Sequence, residues 1–451
     1  MDKKRFWRKL LPLVFPMAFE QLMYSLVSTS DTLMLGMVEQ SSLSAASLAT
    51  QVSFVFFICM GGLTGGGNVL LAQYWGKGDA ERVEQVFAIL VRPVVLICAL
   101  FSGAAAFFSE VLMRFYTPDP ELIRLGTEYL RTVSIYYLLN GITQCYQCAM
   151  KNCGRAAKAS LISSVSVVAN IVLNAILIFG LLGAPELGIR GAALATVISQ
   201  AISLTWALWD TARAGKIQLR RRHLLNFRQP LERSFWKYTV PVLANSLAWG
   251  LGITVGSMIL GHLGTDAVAA NSIASVAKNL IACFCMGLAS GGAILVGNEL
   301  GAGELERAKA YGGRVVILAL ISGGVSGILL LALTPVILSV AQLSPQAEAY
   351  LRWMVVVCAV NLVGMSHNSA TISGIFTAGG DTKFGFLCDC VTLWAVVVPL
   401  GLLAAFVLEW PVIAVYSIIS MDEIIKLPVV WRHYKKYKWV RDLTQPQNEE
   451  A

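Results

Sequence analysis

The chain has 451 residues, of which 56% are hydrophobic and only 14% charged, with a net charge of +8. Charged residues make up about a quarter of a soluble domain, so these proportions exclude a water-soluble globular protein. The positive excess is not pooled into a patch for nucleic acid, because it recurs in clusters between apolar runs.

The first apolar segment, near 10–36, follows a basic stretch from Met1 to Lys9 and carries Glu20 and Asp31. Without a small-residue cleavage site it reads as a retained helix rather than a signal. Segments near 44–72 and 86–108 follow, then charge-free runs at 132–150, 159–185, 191–209, 238–265, 279–298, 315–347, 353–380 and 390–408, and a less uniform one at 411–431. Roughly 20 apolar residues cross a bilayer core, so the reading is an all-α integral membrane protein of twelve spans. Basic clusters at Lys3 to Lys9, Lys77 and Arg82, Lys151 to Lys158, Arg213 to Lys237, Arg307 to Arg314, and Arg432 to Arg441 alternate with acidic or neutral connections. Basic residues stay on the cytoplasmic side, which places both termini there and the protein in the cell inner membrane.

A shift of 225 positions (241 − 16) lays Pro16 on Pro241 and carries the match without a gap through Gly76, Gly78, Glu81 and Arg82 onto Gly301, Gly303, Glu306 and Arg307. The shared Gly-x-Gly-x-x-Glu-Arg loop marks a duplication. Each copy holds an even number of spans, so both enter the bilayer in the same orientation, as in parallel-repeat transporters with a site between halves. The expected organisation is a six-helix bundle at 1–210, a basic cytoplasmic connector with a short amphipathic helix at 211–238, a second bundle at 239–432 and a cytoplasmic tail at 433–451.

Carboxylates inside a span cost several kcal/mol unless they face water, a partner or a proton, which singles out Glu20 and Asp31. Their separation, 31 − 20 positions, is about three helical turns and sets them near one face. Asn170 and Asn174 on the fifth span and Thr196 on the sixth offer hard oxygen ligands for a small cation, or a cage for a proton on Asp31. Interhelical glue is the other reading of those asparagines. Pro16 and Pro241 each free a backbone carbonyl and are candidate hinges, or static kinks.

A second polar and aromatic set consists of Tyr24, Tyr136, Tyr137, Asn140, Gln144, Asn245, Trp249, Lys278, Asn361, His367 and Asn368. It suits a broad cavity for organic cations, although rings also serve simply to pack helices. The ten cysteines lie within or beside apolar segments and imply no disulfide framework. Cys145 and Cys148 form a CxxC without neighbouring histidines, and the chain has neither a P-loop nor an HExxH motif. Neither an enzyme nor a metal or organic cofactor is expected. The energy source should be an ion gradient.

The segments PMAFEQLMYSLVSTSDTLMLG (Pro16 to Gly36), QYWGKGDAERV (Gln73 to Val83), NIVLNAILIFG (Asn170 to Gly180), GIRGAALATVISQ (Gly188 to Gln200), GNELGAGELERAKA (Gly297 to Ala310) and SGIFTAGGDTK (Ser373 to Lys383) together resemble the multidrug and toxic compound extrusion (MATE) family, of the bacterial NorM/DinF-like kind. The resemblance spans residues 10–432. It implies two pseudo-symmetric six-helix bundles around a V-shaped cavity, and export of cationic or amphipathic molecules against inward H+ or Na+. On this likeness Asp31 stands at the first-helix cation-site aspartate, Pro16 at the bending proline, and Asn170, Asn174 and Thr196 at the remaining polar cluster. Branches with a sodium site in the C-terminal bundle place acids in the seventh and tenth helices. Trp249 and the Ser366–His367 pair stand there instead, so the implied coupling centre is in the N-terminal bundle. Glu20 is expected to attract cations, and the protein is expected to act as a monomer on small-molecule drugs or organic cations in the bilayer. The competing readings are a flippase for lipid-linked oligosaccharides, whose polyanionic cargo needs a basic lining where only Lys278 is evident, and a membrane protein without transport.

Overall fold

In a computed structural model the described residues are 3–38, 40–214, 221–224, 230–341 and 343–445, and they form helices and short turns without strands. The connector reading, 211–238, falls partly outside them, since 215–220 and 225–229 are not described, while Arg221–Leu224 forms a short helix; Glu39 and the end of the tail, 446–451, are not described either. Among the described residues, eleven long helices and a twelfth in two short pieces carry the fold. They are α1 (Lys3–Val38), α2 (Gln40–Lys77), α3 (Ala80–Phe107), α4 (Pro120–Met150), α5 (Ala156–Phe179), α6 (Gly188–Ala214), α7 (Pro230–His262) and α8 (Thr265–Gly301), followed by α9 (Leu305–Val340), α10 (Pro345–Phe376), α11 (Thr382–Val407) and the two-piece α12 (Val412–Ile419 and Asp422–Tyr434).

Among the described residues, ten runs are long and apolar enough to cross a bilayer, and one of them, Pro120–Phe179, is 60 residues long and holds both α4 and α5. The chain turns between these at Cys153 and Gly154, where Gly154 takes φ +75°. Only glycine adopts that backbone without a Cβ penalty. The twelfth span is interrupted, with pieces of 8 and 13 residues that are each too short to cross a bilayer alone, and Asp422, Glu423 and Lys426 lie in the second piece. Its first piece ends at Ile419, and the amides of Ser420 and Met421 bond back to Tyr416 and Ile418 to complete the turn.

Two compact units are distinguished by their internal contacts. The first comprises residues 22–71 and 79–235, in which α6 packs on α4 and α5, and α3 on α4. The second comprises 1–21, 72–78 and 236–451, in which α8, α9 and α10 pack mutually and α12 lies on α10. Helix α1 thus contributes its first half to one unit and its second half to the other, with the changeover after Gln21.

Within the second unit, the two copies of the Gly-x-Gly loop meet. A Cβ on Gly76 would overlap the Asn298 main chain, and one on Gly301 would overlap that of Gln73. Gly78 and Gly303, the second glycines of the motif, turn the chain at φ +81° and +76°. The first glycine of each copy permits backbone contact between helices and the second makes the turn. Gln73 then fixes the C-terminal segment, donating to the Ala378 carbonyl at 2.7 Å and accepting from the Leu443 amide at 2.7 Å. Trp439 is fully buried beside Gly312 and Gly379, so this part of the tail is packed rather than free.

Candidate functional site

In the first unit, Asn170 and Asn174 lie one turn apart on α5, a spacing that directs both to the same neighbours. Asn174 is completely buried, and its amide donates to Asp31 of α1 and, at 3.1 Å, to the Asn170 carbonyl oxygen. The Asn170 amide points on to Thr196 Oγ1 at 3.4 Å and Ser199 Oγ at 3.5 Å on α6. Ser166 Oγ donates to the Ser199 main chain at 2.8 Å and ties α5 to α6 beneath them. Asp31, Asn170, Asn174 and Thr196 are thus brought together, and Ser166 and Ser199 join them. Ser199 lies three residues after Thr196, so its helical spacing was the available signal.

One atom in this network lacks a partner: Asn174 Oδ1 is buried and accepts no hydrogen bond. A buried unsatisfied acceptor costs about 1–3 kcal/mol, so its presence beside a carboxylate favours a ligand that brings a proton or positive charge. Asp31 with the oxygens of Asn170, Asn174 and Thr196 is an oxygen-only set of the kind that holds a hard monovalent ion. Glu20 is buried on the same helix but belongs to the second unit.

The remaining residues of the first unit separate by role. Tyr137 is fully buried, with its ring edge-on to Phe56 at 5.0 Å and its hydroxyl 3.0 Å from Ser53 Oγ. It packs the bundle. Tyr136 is half-buried and Tyr24 exposed, while Gln144 donates to Asn140 at 2.7 Å and Asn140 faces Gln200 at 3.4 Å.

In the second unit, a group that the sequence reading passed over gathers most of the rest. Lys426 is 5% exposed, and its ammonium meets Asp389 of α11 at 2.8 Å, Glu423 at 3.1 Å and Asp422 at 3.7 Å. Asn245 of α7 donates to the other oxygen of Asp389 at 2.8 Å, and Asn368 of α10 donates to Glu423 Oε2 at 2.8 Å. His367 bonds to Asn368 at 3.1 Å, and Asn361 donates to the Ser420 carbonyl at 2.6 Å. Lys278 of α8 is half-buried and within electrostatic range of Asp422. Trp249 is exposed and stands apart from these bonds. Pro16 and Pro241 lie inside α1 and α7, which stay helical across them.

Twelve helices formed by a duplicated unit, with charged and amide side chains on their membrane-embedded stretches, define an integral membrane transporter rather than an enzyme. A family model described as MatE matches residues 16–176 and again 241–403, its two starts separated by the same 225 positions (241 − 16) as the repeat. The chain belongs to the MATE family of multidrug efflux transporters. The Bacillus subtilis transporter YisQ is 19% identical over 96% of this chain and 95% of its own length. A multidrug resistance protein NorM of Burkholderia vietnamiensis is 26% identical over 87% and 86% of the two chains. Among solved structures, a MOP-superfamily transporter from Pyrococcus furiosus superposes with TM-score 0.87 at 16% identity, over 96% of each chain. The Vibrio cholerae MATE transporter VcmN gives 0.87 at 18% identity, covering 96% of this chain and 97% of its own.

Proposed function

We propose that this transporter is a secondary active exporter of cationic and amphipathic small molecules, driven by inward H+ or Na+ exchanged at the Asp31 network. The observation that carries the reading is the buried, unpartnered Asn174 Oδ1 beside the Asp31 carboxylate. A half-turn of that amide turns its oxygen toward Asp31 and Asn170 Oδ1, where it can accept from a protonated carboxyl or join those oxygens around a cation. Ionised and empty, Asp31 attracts cations. Occupied, it is neutralised, and a ligand with different affinity for the two states shifts the helix between them.

Multidrug resistance relatives of similar length support the substrate class. A polyanionic headgroup would need a positive interior, whereas Lys426 is outnumbered by its three carboxylate partners. In the proposed topology both termini and the Gly-x-Gly loops face the cytoplasm of an inner membrane, and the protein acts as a monomer. The deciding experiment is dye efflux from proteoliposomes under imposed proton and sodium gradients, applied separately. Efflux that follows one gradient and ceases without it is expected. Efflux indifferent to both would overturn the reading.

Pro16 is the proposed hinge, because α1 passes from one compact unit into the other within a few residues of it, after Gln21. Proline withholds the amide that the preceding turn would accept, which leaves the helix softer there. Pro16→Ala restores that bond and is expected to lower transport severalfold while drug binding in detergent persists. Unchanged transport would make the proline an architectural feature.

A further inference from the structure

A buried ammonium surrounded by carboxylates from two helices is the geometry of a cation site whose occupant is covalently attached. Lys426 contacts Asp389, Glu423 and Asp422, and a carboxylate in a membrane-spanning stretch is costly unless a partner such as this ammonium offsets it. Two of the three are also held by amides from other helices, Asp389 by Asn245 and Glu423 by Asn368, so four helices converge on one positive centre. The carbonyl oxygen of Asn245 is buried and accepts no hydrogen bond, which leaves a neutral oxygen ligand beside Asp389. Lys278 adds a second positive charge at the Asp422 side, at longer range.

We propose that Lys426 is a tethered counter-ion: its ammonium fills the position that a free monovalent cation would otherwise take among Asp389, Glu423 and Asn245. Lys426 then offsets part of the negative charge of this cluster without a mobile ion, and the carboxylates remain in excess. Removing the ammonium while keeping the carboxylates should convert this closed site into an open one that recruits sodium.

The test compares purified full-length wild-type protein with Lys426→Gln in detergent, by thermal unfolding in sodium chloride against choline chloride at equal ionic strength. A ligand that binds only the folded state stabilises it by mass action, so sodium should raise the melting temperature of Lys426→Gln by about 2–4 °C more than that of wild type. Lys426→Arg retains the charge and should show no extra sodium effect, and Lys426→Gln/Asp389→Asn should lose the effect together with the carboxylate. Should Lys426→Gln fail to fold, the charge-compensated double variant is expected to restore it. Absence of any extra sodium effect in folded Lys426→Gln would overturn the proposal, and so would failure of the double variant to recover folding lost in the single one. The readout does not involve transport, so it stands or falls independently of the exchange assigned to Asp31.

Discussion

Asp31→Asn is expected to reach the membrane at wild-type level and to lose gradient-driven efflux by about tenfold or more, the change produced by about 1.4 kcal/mol of lost differential affinity. The substitution keeps the size of the side chain, and its amide can pair with Asn174, itself hydrogen-bonded to Asn170. What it removes is the charge that alternates with ion occupancy. Glu20→Gln is expected to be milder, since Glu20 lies in the other compact unit. Dye efflux under an imposed gradient, normalised to protein per vesicle, measures both. Full efflux by Asp31→Asn would take the coupling role away from this network and direct attention to Glu20.

The second large effect is one of stability. Gly301→Ala places a methyl group against the main-chain carbonyl of Gln73, and Gly76→Ala places one against that of Asn298. Neither obstacle is the end of a flexible side chain, so the two helix ends must separate. Overpacking typically costs about 1–3 kcal/mol, and backbone obstruction belongs at or above the top of that range. Gly303→Ala meets nothing within 4 Å and has only its φ of +76° to strain, at about 1–2 kcal/mol. The expected order of melting temperatures is wild type above Gly303→Ala, with Gly301→Ala and Gly76→Ala lowest. Gly301→Ala as stable as wild type would contradict the close contact.

The same glycines show how far sequence reasoning reaches. Duplication placed Gly76 on Gly301 and Gly78 on Gly303, which identified a loop under constraint. That one glycine turns and the other touches depends on packing that spacing does not encode. The twelve spans were legible because uncharged runs of about 20 residues have few soluble uses. The Asp31 network was legible because a carboxylate and two asparagines stand out in such runs.

The Lys426 group was not legible for the converse reason. Scanning for uncharged windows sets Asp389 just outside the run that begins at 390, and it makes Asp422, Glu423 and Lys426 read as the ragged end of the last span. Their meaning is tertiary, since a buried charge is intelligible only with its partners, here contributed by α7, α10 and α11. Tyr137 illustrates the same limit. Its type and position suggested a cavity wall, and only the surrounding Phe56, Phe101 and Ser53 identify it as packing.

The meeting of the two loops has a further consequence for ancestry. Subtracting the repeat length, 298 − 225, lays Asn298 on Gln73, and 301 − 225 lays Gly301 on Gly76. The contacts are therefore reciprocal: the glycine of each copy meets the residue three positions before the glycine of the other. Reciprocity of this kind is the signature of an isologous two-fold interface between identical subunits. The single chain holds, in covalently joined form, a contact with the reciprocal pattern of a symmetric pairing between two copies of the repeat.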